Sequence, residues 1–379
     1  MVFVPIEQLR VGMVIAKSIE SNGEISPIPL LAPGQILTER LINKLRSKNI
    51  SGAYIDTAFS DDIMPGEIIS SQVRQKALVE IKKVFDDITK YNKVSIENTR
   101  SISEIARELV IEVLSHDEVL IDFIDLQNYD DYTYRHSLSV AVFSISIGRK
   151  LGYNVDILTD IATSALLHDI GKTEIPIELI NKPGRLTEEE YGIIKKHPEI
   201  AYDRLLCKKL PDAVLKGILS HHERYNGTGY PNGLSGDEIP MYARILAVSD
   251  VYDALTTIRP YRKAWFPNEA LEYILGCGGI YFDPRIVNEF LKIVVPYPAG
   301  TLVQLSNGCP AIVLKTNENK LRPVVRMFNA DDDTHFCDVD LMNDKSYINV
   351  TIVGLGYANS SIDYRMFVKE ERAGHPDLD

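Results

Sequence analysis

The spacing of apolar residues changes twice along the chain. Over residues 1–62 the apolar runs are short: 2–5, 13–18 and 53–56 read as strands and 38–48 as a helix. In that helix Leu41, Ile42 and Leu45 share a face, and Thr38 stands where a side-chain oxygen would cap the first turn. Pro27, Pro29, Pro33 and Gly34 punctuate the middle of the segment. The pattern predicts a small α+β domain. Residues 67–90 then place Ile69, Val73, Leu78, Ile81, Val84, Phe85 and Ile88 on one broad stripe. The stripe is short for a coiled coil and breaks register near Ala77. A helix packing on its neighbours is therefore favoured over a dimerising or signalling helix.

From residue 101 to 294 the period is almost wholly helical, with segments at 131–151, 156–167, 187–206, 211–222, 242–257 and 268–275. Ser101 with Glu104, and Thr187 with Glu190, have the spacing of capping boxes, and Pro211 suits a first helical position. Beyond Pro298 the period falls to two. Segments 301–306, 311–315, 323–328, 335–339 and 350–353 alternate apolar and polar residues between turn-rich breaks. The expected architecture is multidomain: a small α+β domain at 1–62, a helical linker at 63–115, an all-α bundle at 116–295 and a small β-rich unit at 296–379. His335 and Cys337 lack a partner pair at ligand spacing and read as strand residues.

Composition narrows the class. A chain of 379 residues suits two or three domains, and 45% hydrophobic with 25% charged residues is ordinary for a globular protein. No stretch approaches the ~18 apolar residues of a membrane span. The opening MVFVPIEQLR lacks the basic and apolar regions of a signal peptide. The four cysteines show no CxxC spacing, so a reduced, cytoplasmic setting is expected. A net charge of −12 argues against general binding to nucleic-acid backbone.

Chemistry concentrates in one ladder. Five of the eight histidines, His136, His168, His197, His221 and His222, recur with Asp169 and Asp250 over 115 residues. Neutral imidazole and carboxylate are ligands for borderline divalent metals, and the set is too large for one tetrahedral ion. Two ions sharing a bridging ligand suit it, an apparatus used for in-line attack on phosphoesters. Singly, each residue has a plainer reading. His168-Asp169 could be a capping histidine beside a loop aspartate. His136 could be a core histidine, and His197 before Pro198 a helix end. Adjacent imidazoles at 221 and 222 seldom serve packing, and Asp250 in an apolar run demands a partner. Side chains at 168 and 169 diverge by about 100° on a helix, so both reach one site only where the helix ends; Gly171 is expected to end it.

Around this ladder the chain closely resembles the HD-GYP family, a branch of the HD phosphohydrolases that cleaves cyclic di-GMP. The motifs are LLHDIGK (166–172), HHERYNGTGYP (221–231), DYTYRHSLSVA (131–141), NKPGRLTEEEYGIIKKHPEIAYDRL (181–205), YARILAVSDVYDALTTIRPYRKA (242–264) and FDP (282–284). They cover roughly half of the chain. The resemblance implies an HD-type helical bundle and looks similar to family members carrying an N-terminal accessory domain and a C-terminal β extension. It implies that His136, His168, Asp169 and Asp250 hold one metal, and that Asp169, His197, His221 and His222 hold a second. A metal-bridging hydroxide would then attack phosphorus, opening cyclic di-GMP to pGpG, with GMP as a second product that the resemblance leaves open. Iron or manganese fits the ligand set best, with zinc a further candidate.

The same resemblance makes Asp169 and Lys172 catalytic. Lys172 would steady the nucleophile or the developing phosphorane charge. Lys172, Arg259 and Arg262 would grip phosphate, and Gly229, Tyr230 and Pro231 would line the base. Two divalent ions outweigh two aspartates and a hydroxide, so the pocket would be locally positive on an acidic protein. Glu223 is placed behind the adjacent histidines, with Tyr225 supporting the loop. Some members carry a glutamate four residues before the first histidine that helps to hold a third metal. Tyr132 stands there in this chain, so two metals are expected. Competing readings are a catalytically weak cyclic di-GMP receptor with signalling partners, and a phosphohydrolase of another cyclic dinucleotide or nucleotide. A homodimer is compatible with each.

Overall fold

The computed structural model describes residues 1–19, 29–48, 50, 52–57, 60, 62–63, 68–116, 132–182, 184–257, 265, 267–329, 332–356 and 367. In the N-terminal segment β1 (Val2–Pro5), β2 (Val14–Ile15) and β3 (Gly52–Asp56) form an antiparallel sheet in the order β1-β3-β2. Helix α1 (Glu39–Ser47) begins at Thr38, whose hydroxyl accepts from the Leu41 N–H, as the sequence pattern predicts.

At the other end, β4 (Leu302–Leu305), β5 (Pro310–Lys315), β6 (Val324–Asn329), β7 (Asp332–Asp340) and β8 (Ile352–Leu355) form an antiparallel sheet in the order β7-β6-β5-β4-β8. The sequence pattern treats the two terminal segments as separate domains. In the structure Met1–Gly66 and Val295–Asp379 fall in one compact unit. The physical reason is a shared core: Leu302, Ile312 and Phe328 bury against Val2, Val4, Ile15, Leu37 and Ile55. Arg326 of β6 also reaches Asp62 through two charged hydrogen bonds of 2.8 and 2.9 Å. Small segments bury proportionally little surface when they fold alone, and a shared core raises that share.

The second unit holds Glu67–Ile121 and Asp131–Val294 and is built from helices. They are α2 (Ser71–Tyr91), α3 (Ile96–Ser115), α4 (Tyr132–Lys150), α5 (Val155–Leu167), α6 (Ile177–Ile180), α7 (Glu188–Ile194), α8 (His197–Leu205), α9 (Asp212–Ser220), α10 (Met241–Thr256), α11 (Pro267–Gly276) and α12 (Pro284–Ile293). The stretch expected as a linker therefore packs as two helices of the bundle. Helix α2 buries Ala77, Ile81, Val84, Phe85 and Ile88, whereas Val73 and Leu78 of the expected stripe are half-buried. Arg74 takes an inner position instead, with its guanidinium donating to the Ile69 carbonyl at 3.3 Å.

Two helix boundaries differ from expectation. Helix α3 starts at Ile96, capped by Ser95 with Asn98 in a reciprocal box. Ser101 and Glu104 lie inside it, where Ser101 bonds Glu80 of α2 at 2.9 Å; the S-x-x-E spacing also fits a helix interior. The expected helix at 187–206 is two, α7 and α8, broken at Lys195-Lys196. That break matters, because it places His197 at a helix start. Among the described residues no helix is long and apolar enough to cross a membrane.

Candidate metal centre

The seven ladder residues converge, and helix ends bring them there. Helix α5 finishes at Leu167 and the chain passes into a 3-10 turn, Ile170–Glu174, so His168 and Asp169 straddle a change of helical pitch. His197 follows the end of α7, and His221 caps α9. The last carbonyls of a helix lack intrahelical donors. Here imidazoles supply them: the Nδ1 atoms of His168, His197 and His221 lie 2.7, 2.8 and 2.6 Å from the carbonyl oxygens of Ala165, Ile194 and Ile218. A carbonyl only accepts, so each Nδ1 carries the proton and each Nε2 keeps a lone pair turned inward.

His136, on α4, is held differently. Its Nδ1 is 2.6 Å from Asp253 and its Nε2 is 3.0 Å from Asp250, both on α10. Asp250 and Asp253 are i and i+3, and therefore share a helix face. Asp253 was not singled out from the sequence, although its spacing from Asp250 was the available signal.

Asp169 lies at the centre. Its Oδ2 faces His168 Nε2 at 3.5 Å and His136 Nε2 at 3.6 Å, while its Oδ1 faces His197 Nε2 at 3.4 Å. The two oxygens of one carboxylate thus address two groups of imidazoles. His136, His168 and Asp250 lie within ligand reach of one another, as do His197, His221 and His222, and His168, Asp169 and His221. Among the described residues the buried atoms His168 Nε2 and Asp169 Oδ1 have no hydrogen-bond partner, although burial of an unsatisfied polar atom is costly. Inward lone pairs, a two-sided carboxylate and orphaned buried acceptors fit a site for divalent cations.

Lys172 donates to Asp169 Oδ2 at 2.6 Å. Burial opposes charge on Asp169, but the positive charge around it, the Lys172 ammonium at 2.6 Å above all, overrides it and holds the carboxyl well below the usual carboxylate range. Burial likewise depresses His168 and His221, and brings His197 down to about 4 and His222 to about 3. His136 goes the other way: burial disfavours its charge, but hydrogen bonds to Asp250 and Asp253 raise it to about 9. A metal at His136 Nε2 would therefore displace a proton.

These shifts set a pH profile for chelator-treated protein. The four depressed imidazoles stay neutral when folded but protonate below about pH 6.5 when unfolded, so stability falls as pH drops through that value. The His136 contribution is complete below about pH 6.5 and is lost as pH rises through about 9. The expected melting temperature peaks near about pH 6.5 and falls more steeply on the acid side. Thermal melts across a pH series test this, and a flat acid limb would contradict four neutral buried imidazoles. Asp253→Asn removes the charge that orients and polarises His136, and should weaken metal binding by about 10- to 100-fold with little change in helical content. Metal titration followed by mass spectrometry reads it; unaltered affinity would leave Asp253 a merely structural acid.

The GYP loop forms one wall. Tyr230 stacks on His222, ring centroids 4.8 Å apart and planes inclined by 30°, and its N–H donates to the His222 carbonyl at 3.2 Å. Burial raises the Tyr230 phenol above its ordinary value. Gly229 permits the wall: a Cβ there would come closer than 3.0 Å to the backbone of Glu223 and Arg224. Among the described residues the hydrogen bonds of Glu223 go to the loop rather than to the imidazoles. Its carboxylate accepts from the Asn232 and Leu234 N–H groups at 2.7 and 3.1 Å, pinning the loop after Pro231. Helix α5 ends at Leu167, and Gly171, expected to end it, lies in the following 3-10 turn, where its close approach to the His197 carbonyl excludes a side chain. Arg259 and Arg262 lie outside the described residues.

A family model described as HD domain matches residues 118–286. The chain is 39% identical over 233 residues to the cyclic di-GMP phosphodiesterase PA4108 of Pseudomonas aeruginosa, covering 61% of this chain and 56% of that protein. The chain thus spans little more than half the length of that relative. It is 31% identical over 302 residues to a cyclic di-GMP phosphodiesterase of Thermotoga maritima, covering 73% of this chain and 81% of that one. Among solved structures it is similar in fold to Bd1817, an HDG"Y"P protein from Bdellovibrio bacteriovorus, with a TM-score of 0.52, 21% identity, and coverage of 76% of this chain and 97% of that one. The HD-domain match, the GYP loop stacked on a ladder histidine and a relative matched over most of its length place the chain in the HD-GYP family of the HD phosphohydrolase superfamily.

Proposed function

We propose that the chain is a metal-dependent phosphodiesterase that opens cyclic di-GMP to pGpG. The observation that carries this reading is the two-sided Asp169 carboxylate between two sets of inward-facing imidazoles. His136, His168, Asp169 and Asp250 would hold one divalent cation, and Asp169, His197, His221 and His222 the second, with iron or manganese the best match to these donors. Such a pair, when bound, polarises phosphoryl oxygen and lowers the pKa of water.

The chain's own residues do the rest. Lys172 is tied to Asp169, so its ammonium is fixed beside the centre and can neutralise charge growing on phosphorus oxygens. Tyr230 offers an aromatic face for a base, and the pinned loop keeps that face in register with His222. Arg259 and Arg262 would grip phosphate through their planar forks. The relatives named above, described as cyclic di-GMP phosphodiesterases, support the substrate.

The test is metal analysis of protein purified without chelator, together with anaerobic turnover of cyclic di-GMP and chromatography of the products. About two metals per chain with pGpG appearing is the expected result. Metals and tight nucleotide binding without cleavage would replace the enzyme with a receptor. Cleavage of only another cyclic dinucleotide would move the substrate.

A further inference from the structure

A cation and two aromatic rings stand beside the centre, and none of the ligand roles uses them fully. Lys195 follows the last turn of α7, and its ammonium lies 4.5 Å from the ring centroid of Tyr191 and 5.5 Å from that of Tyr230. Tyr191 meets Tyr230 edge to face at 6.5 Å, and Tyr230 stacks on His222. Tyr191 is 38% exposed, whereas Lys195 is half-buried. Among the described residues no carboxylate pairs with Lys195. Glu190 of the same helix is bound to Lys182 and to the Thr187 N–H.

We infer that Tyr191 and Lys195, together with Tyr230, form a base subsite that selects guanine over adenine. The inference rests on the site being one for cyclic dinucleotides. Aromatic faces stack on any base and carry no preference. The ammonium does, because it only donates. Guanine presents two neighbouring acceptors, O6 and N7, on one edge; adenine puts an amino donor where O6 would be. An ammonium held by ring faces, with no carboxylate among the described residues to surrender, can turn one donor toward those acceptors at small cost. Because Tyr230 stacks on His222, a base on this wall would lie beside the imidazole cluster.

The roles separate in one experiment. Initial rates are measured for cyclic di-GMP and cyclic di-AMP on metal-loaded wild type, K195Q, Y191A and K196Q. Binding is measured by calorimetry for any pair that shows no cleavage. Lys196 is exposed, so K196Q makes the same charge change away from the rings. K195Q should narrow the guanine preference about 10-fold, through KM with kcat held, while K196Q keeps it. Y191A should weaken both nucleotides by a similar factor, about 10-fold. Cleavage with the preference intact in K195Q, or with no preference in wild type, overturns the subsite and leaves the phosphodiesterase. A Lys195-dependent guanine preference in binding without cleavage supports the subsite and overturns the hydrolytic reading. Neither binding nor cleavage overturns both.

Discussion

Asp169→Asn is expected to lower turnover of cyclic di-GMP by about ten-thousand-fold and to strip most of the bound metal, while far-ultraviolet circular dichroism stays close to wild type. The substitution keeps shape and removes charge. One carboxylate oxygen becomes an amide NH2, which donates and cannot ligate, so one of the two imidazole groups loses its shared partner. The same change frees Lys172, whose ammonium hydrogen-bonds to Asp169 Oδ2 at 2.6 Å, and leaves a cation beside the centre that repels incoming metal. Neighbouring helices are packed by apolar residues such as Leu166, Leu167 and Ile170, so the fold should survive. Metal content and turnover are read on the same preparation. Full activity would end the assignment of Asp169 as the shared ligand; lost activity with full metal content would move its role from ligation to chemistry.

Gly171→Ala is expected to cost about 3 kcal/mol of stability and about 10 °C in melting temperature, with activity falling well beyond what unfolding explains. A Cβ at this position would come closer than 3.0 Å to the His197 carbonyl and to the Ala201 N–H nitrogen. Both atoms are backbone, so no rotamer relieves the overlap. The start of α8 would have to move away from the 3-10 turn, carrying His197 away from Asp169. Thermal melts give the stability, and assay well below the melting temperature separates misplacement from unfolding. A wild-type melting temperature would show that the two segments separate freely.

Much of the site could be read from the chain because its residues sit at local landmarks. His168, His197 and His221 lie at helix ends, and helix ends are written in nearby residues: a capping Thr187 with Glu190, a proline after His197, a break after Leu167. The GYP loop was legible for the same reason, since Gly229 answers to a backbone approach within its own hairpin. Asp253 and Lys195 were not legible. Each reads as an ordinary exposed-type charge on a helix until another segment is brought against it.

The chain by itself determined the helical and β periods, the ladder of imidazoles and carboxylates, and the family they resemble, because periodicity, capping and motif spacing act over a few residues. Only the tertiary structure decided which oxygen of Asp169 faces which imidazole, that Asp253 holds His136, that Glu223 pins the loop rather than the histidines, and that the terminal segments share one core. Those outcomes depend on burial and on contacts between residues far apart in sequence. The free energy of a charge or a methyl group there is set by what packs against it, and no local spacing encodes that partner.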